Sequence, residues 1–404
     1  MNRYLKTTNA MQLILTARFS FSSKSFSLFS GTERVFSLDF SRLGDTYKAT
    51  EEESGRRDEL ALSEDEYIRA PELLKKRLAS HGFLDGLPAP GTSRQAGGRI
   101  ISHIGIKTSV PGSFFQKHHP VDTSFVAALK HAKPKAAPEV NMLTEAILVL
   151  KKTFPESSAF AISDTLFFSQ LSKPARNYAV PENFSRRHDA YRFGGNGLAL
   201  ESILEKLKRM PGGMNSRTVV VYLDSTGSVT AINNDTPVDT STGFSALEGL
   251  PGETNSGSID PAVPLYLSAE KTWNADDAVY YLSRESGFLG AGESLITLDK
   301  SPNGAQMRNL LIHRVRKEIG GAVALLGGLD RIVLSGCILV SSPELRKRLL
   351  MQFEYLGVFL DDFANGRLSH EESRTISRAG SGVTVSVVPA EEDRVMTNAL
   401  ARLV

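Results

Sequence analysis

Apolar residues recur along this chain with two periods, that of a strand and that of a helix, and the changes of period mark out its elements. Residues 12–28 and 33–40 alternate apolar and polar, as strands with one buried face do. Residues 46–63 are dominated by charge (EEESGRRDE) and read as a solvated excursion. Residues 71–81 make a short amphipathic helix with Leu73, Leu74 and Leu78 on one face. Residues 86–98, rich in proline and glycine, read as a loop, and residues 99–105 (RIISHIG) as a strand. Helical periodicity follows over 123–132 and 140–154, then a short buried strand over 159–163. A helix over 198–210 turns Leu198, Ile203, Leu204 and Leu207 inward. Further helices are predicted over 275–286, 305–326, 343–353 and 390–403, with buried strands over 332–334 and 383–388.

Two stretches break this rhythm. Residues 218–232 (TVVVYLDSTGSVTAI) are a strand, a tight glycine turn and a second strand, which makes a hairpin. Residues 237–262 (PVDTSTGFSALEGLPGETNSGSIDPA) carry turn formers every few positions and no helical period. Structureless loops of such length are functional or disordered. Patterned segments on both sides argue for function.

Length and charge narrow the class. The 404 residues exceed what one ordinary core holds, so two domains are expected. Basic and acidic residues nearly balance, 47 against 45, which gives no case for nucleic acid as a general partner. The single cysteine, Cys337, excludes a disulfide framework and reads as a small packed residue. No apolar run approaches the roughly 18 residues of a membrane span. The His118-His119 pair reads as solvated loop, and the run Arg346-Lys347-Arg348 as a solvated helix face. The amino terminus departs from the rest. Arg3, Lys6, Arg18 and Lys24 stand among serines with no acidic residue before Glu33, the profile of a transit peptide. That profile predicts a mitochondrial protein, rather than a cytoplasmic one, with a leader reaching to about residue 30. The same residues also read as a first hairpin, in which case only residues 1–10 are an extension.

The hairpin and the long loop resemble the core of the acetate and propionate kinases. In that family the loop reads D-T-S-M-G-x-T-P-L-E-G-L-x-M-G-T-R-S-G-x-x-D-P. Asp239-Thr240-Ser241, Gly243, Leu247-Glu248-Gly249-Leu250, Gly252, Ser256-Gly257 and Asp260-Pro261 match it in type and order. Weaker likenesses extend the match over most of the chain, including DTLFFSQL from Asp164, YRFGGNGLAL from Tyr191, and SRESGFLG from Ser283.

The resemblance implies an α/β, two-domain actin-like ATPase (ribonuclease H-like) fold with mixed sheets and helices on both faces. It divides the chain into an extension over 1–10, a first domain over 11–163, a second over 164–388, and a last helix over 389–404 returning to the first domain. It also implies a homodimer through the second domain, with ATP and Mg²⁺ as cofactors. Asp164 falls at the catalytic aspartate, though Asp before Thr is equally a helix cap, and Glu392 falls at the Mg²⁺-holding glutamate. The two catalytic arginines correspond to Asn255 and, one residue out of step, Arg99. The histidine of the turn before the helix is Asn196. In the nucleotide site, H-L-G-N-G-G-S has become a run containing Asp224, Gly227 and Ser228, and the adenosine motif keeps only its first glycine, Gly336, and Ile338.

Lost arginines, histidine and glycines around one cleft point to a catalytically degenerate homologue, retained as a scaffold for protein partners in a larger mitochondrial assembly. The alternative is an active kinase transferring phosphate between ATP and a short-chain carboxylate. An active enzyme requires a replacement cation beside Asp164. A scaffold predicts a cleft filled by side chains such as Tyr222, Leu339 and Val340, and an apolar interaction surface elsewhere.

Overall fold

Two sheets organise the chain, and each is laid down by the same sequence of moves. The computed structural model describes residues 12–84, 100–133, 135–210, 216–295, 297–298, 301, 304–367 and 372–404. In the first sheet β1 (Gln12–Phe19), β2 (Ser23–Ser30), β3 (Glu33–Leu43), β4 (Thr46–Glu53) and β5 (Arg56–Leu62) form an antiparallel meander. Of the next three, β6 (Ile100–Thr108), β7 (His119–Pro120) and β8 (Ser158–Ser163), β6 joins β1 in parallel and β8 joins β6. In the second sheet β9 (Arg217–Leu223), β10 (Gly227–Asn233) and β11 (Thr236–Thr240) are antiparallel. There β12 (Arg331–Ser335) joins β9 in parallel, β13 (Arg374–Thr375) forms the edge, and β14 (Thr384–Val387) pairs with both β12 and β13. The orders β3-β2-β1-β6-β8 and β11-β10-β9-β12-β14 are therefore the same arrangement used twice. This is the actin-like α/β fold that the sequence resemblance implies.

Burial follows the sequence pattern where pairing is parallel. The VVVYL of β9 and the whole of β12 are buried, as strands covered on both faces must be. The charged stretch 46–63 is a correction to the sequence reading, since it forms β4 and β5 rather than a solvated excursion. Its alternation is real but disguised: Tyr47, Ala49 and Glu51 face inward. Glu51 tolerates burial because Arg77 donates to both its oxygens, at 2.5 and 2.7 Å, and His81 lies 2.9 Å away.

One helix, Gly197–Leu207, is wedged between the sheets. Its Leu198 packs with Ile162 of β8, while Ala199, Leu200, Ile203 and Leu207 pack with Val220, Ile232 and Val333 of the second sheet. The final helix, Glu392–Leu403, leaves β14 and returns to the first sheet, where Val395, Met396 and Leu400 join the same cluster as Ile162. These two helices bring together residues far apart in sequence.

Three smaller expectations change. Arg346 is fully buried rather than solvated, donating to Asn365 Oδ1 and to the carbonyls of Leu339 and Val340. Cys337 is exposed and points its thiol at Asp224, 3.3 Å away, at the start of a short helix, Cys337–Ser341. His118 accepts the backbone N–H of Ser163, and His119 stacks on Phe114 with centroids 4.1 Å apart. The loop 86–98 and Arg99 lie outside the described residues.

Candidate active site

The cleft between the sheets receives side chains from the ends of strands. Asp164 directly follows β8 and is 2% exposed. Its Oδ2 accepts from the Ser109 hydroxyl and the Asn196 N–H, both at 3.0 Å, and its Oδ1 from the Leu198 N–H at 3.1 Å. Asp164 thus caps the wedged helix Gly197–Leu207 from across the chain. Gly197 makes this approach possible, since a Cβ there would stand 2.2 Å from the Asp164 carbonyl oxygen. Asn196, in the left-handed conformation at φ 62°, bonds through its side-chain amide to Ser228 Oγ at 3.1 Å.

Glu392 opens the final helix and is 5% exposed. Lys107, near the end of β6, places its ammonium 2.9 Å from Glu392 Oε2 and 3.4 Å from Asp164 Oδ1. Arg18, near the end of β1, reaches Glu392 at 3.5 Å and forks onto both oxygens of Asp393 at 3.0 and 3.1 Å. Thr16 and Ser27 complete the Asp393 contacts at 3.0 and 3.1 Å. Burial by itself would depress the Lys107 ammonium, but the charge of Asp164 and then of Glu392 raises it above the ordinary lysine value. Burial likewise works to raise the Glu392 carboxyl, and Lys107 and Arg18 reverse this and hold it below the usual carboxylate range. Lys107 and Glu392 therefore each hold the other in its charged form.

Sequence reasoning found both carboxylates and missed both cations. The signal lay in β6, where Lys107 shares a face with Gly105 and His103, two and four residues back along the strand. The other sequence-derived residues are brought to the cleft with different tasks. Asn255 lines it, but donates its amide to the Ala246 and Leu250 carbonyls at 3.0 and 3.3 Å and so shapes the long loop. Asp224 accepts from Ser225 N–H at 2.8 Å and from the Tyr222 hydroxyl at 3.3 Å. Ser228 is fully buried. Glycine is required at Gly336 by packing, since a Cβ would stand 2.1 Å from the Leu223 carbonyl oxygen, while at Gly227 a Cβ would press on the Leu223 side chain at 2.7 Å. Leu339 and Val340 do not fill the cleft, because both belong to the core of the second sheet. Tyr222 does line it.

A cavity of about 220 Å³ remains between these groups. Among the described residues six carboxylates line it, from Glu139, Asp164, Asp224, Glu248, Glu253 and Glu392, against the two cations Lys107 and Arg18. The residues present do not fit Mg²⁺. A hard dication bound through Glu392 would have to displace an ammonium already held by two buried carboxylates, and would meet the Arg18 guanidinium. Among the described residues no cluster of His, Cys, Asp and Glu forms a metal site.

Comparison with known proteins places this cleft in a lineage. The model of the Acetokinase family matches residues 81–398. An acetate kinase of Rhodopseudomonas palustris (strain TIE-1) is 32% identical over 310 residues, covering 75% of this chain and 77% of that one. A propionate kinase of Yersinia enterocolitica is 26% identical over 353 residues, with 84% and 87% covered. Among solved structures, a propionate kinase from Francisella tularensis superposes with a TM-score of 0.80 over 96% of this chain and 99% of its own, at 22% identity. The chain belongs to the acetokinase family.

Proposed function

We propose that this protein is a member of the acetokinase family that no longer phosphorylates carboxylates with Mg-ATP, and that it acts by binding other proteins. The observation that carries this reading is Asn255, an uncharged side chain bonded to the Ala246 and Leu250 carbonyls where family resemblance calls for an arginine on the migrating phosphoryl group. Phosphoryl transfer depends on positioning and on positive charge around the migrating group. Here the two cations of the cleft are spent on its own carboxylates. Asn255 supplies no charge, and the glycines of the nucleotide motifs serve packing.

The surface for a partner is the helix Ala262–Lys271, which buries none of its residues and leaves Leu265 72% and Tyr266 64% exposed. Tyr280 and Leu289, on the two following helices, are further exposed apolar side chains. A homodimer would use such a face, as would a subunit of a larger mitochondrial assembly.

A second reading is supported by Lys107, since an active kinase needs a cation beside Asp164 and its ammonium is one. Two measurements decide between them. Thermal unfolding is followed with and without millimolar Mg-ATP, Mg-ADP and acetyl phosphate, and acyl phosphate formed from acetate or propionate is trapped as the hydroxamate. The expected results are no shift and no hydroxamate above background. A ligand at 100 times its dissociation constant would add roughly 2.7 kcal/mol, so a shift of several degrees with Lys107-dependent hydroxamate would establish the kinase instead.

A further inference from the structure

A second cavity, of about 640 Å³, lies on the far side of Phe244 from the cleft and has the opposite electrostatic character. Four basic side chains line it: His131 at the end of the helix Thr123–Ala132, Lys135 just beyond, and Arg187 and His188 from the helix Glu182–His188. Among the described residues no carboxylate lines it. The acids nearby are committed elsewhere. Asp189 accepts from the Ser113 N–H and hydroxyl at 2.7 and 2.6 Å, Glu182 pairs with Arg186, and Glu248 is held by Tyr178 and Arg192. Among the described residues, none of the four basic groups has an ion-pair partner.

Rings make the rest of the wall. Tyr178, Phe184 and Phe244 all face this cavity, and the His188 ring lies 4.6 Å from that of Phe184. Two of these rings are fixed relative to each other. The Tyr178 hydroxyl donates to Glu248 and accepts the Phe244 N–H at 2.8 Å. Gly243 leaves room for this pair, since a Cβ there would stand 1.6 Å from Glu248 Oε2. The aromatic wall is therefore held in place before any ligand arrives.

We infer that this cavity binds an organic phosphate carrying a planar ring, the ring against Tyr178, Phe184 and Phe244 and the phosphate against Arg187, Lys135 and the two histidines. A volume of this size holds a small-molecule ligand. A guanidinium and an ammonium suit a phosphate dianion, and flat faces suit a base or other aromatic body. The charged side chains lining the cleft beyond Phe244 are mainly acidic, so the two cavities differ in the charge they present. This site stands whether or not the cleft is catalytic.

Calorimetric titration with adenosine monophosphate, inorganic phosphate and adenosine tests it. The expected result is one AMP per chain, with phosphate alone and adenosine alone each at least about tenfold weaker. The pair R187A/K135A should weaken AMP by about a hundredfold, with the fold checked by circular dichroism, and F184A by about tenfold. Absence of AMP binding at millimolar concentration overturns the inference. So does AMP binding insensitive to R187A/K135A in the folded variant, or phosphate binding as tightly as AMP.

Discussion

When Lys107 is replaced by methionine, the carboxylates of Asp164 and Glu392 lose the charge that compensates them in a buried setting. Removing one partner of a buried ion pair costs about 3–5 kcal/mol, so K107M should unfold many degrees lower. If the lysine stands in for a metal, millimolar Mg²⁺ should restore part of that loss in K107M and none in the natural protein, read by thermal unfolding. Glu201, on the wedged helix, gives a pH signature of the same neighbourhood. Burial, and then the charges of Asp164 and Glu205, push its carboxyl up to about 7. Between about pH 5 and 7 the folded chain keeps a proton that the unfolded chain releases, so stability should fall as pH rises through that window. E201Q should flatten that part of the pH–stability profile. Asp164 and Glu392 were legible in the sequence through the family resemblance of the segments that carry them. Lys107 and Arg18 were not, because their meaning depends on β1 and β6 lying side by side, which no local pattern announces.

At the scale of elements, charge misled where it was locally neutralised. Residues 46–63 look solvated in the sequence, yet Glu51 lies inward on β4 because Arg77 and His81 from a following helix and its cap reach it. Arg346 misled for the same reason, its guanidinium tying the helix Pro343–Leu350 to Asn365 and to the last carbonyls of the helix Cys337–Ser341. Burial without a counter-charge pulls this guanidinium down to about 10, so it is held by hydrogen bonds alone. R346M would leave these acceptors unsatisfied at about 1–3 kcal/mol each, and its urea midpoint should fall accordingly with an unchanged m-value. Strands buried on both faces were read correctly because nothing polar interrupts them. The meander strands, with one face in water, could be misread wherever a salt bridge sits on the wrong side.

For the whole molecule, the amino-terminal stretch has two readings that the sheet separates. β1 lies between β2 and β6, in the interior of the first sheet, with Leu13, Leu15 and Ala17 in its core. A chain starting at Gln12 should therefore fold with the cooperativity of the full one. A chain starting at residue 31 lacks β1 and β2, and should fail to give a cooperative thermal transition by circular dichroism. On the proposal of a mitochondrial leader, its removal is expected to leave β1 whole, with the cut before Gln12, which mass spectrometry of the mature chain would check. The doubled strand order was legible through resemblance, while the contacts between the halves were not, since they rest on a helix whose two sides face different sheets.

The return of the helix Glu392–Leu403 to the first sheet also sets a timetable for biogenesis. Until that segment leaves the ribosome, Lys107 and Arg18 have no Glu392 or Asp393 to meet, and Ile162 lacks its cover of Val395, Met396 and Leu400. The first half cannot be finished in the order in which it is translated, and a nascent chain stalled before residue 392 presents a cationic, apolar groove to whatever chaperone is nearby.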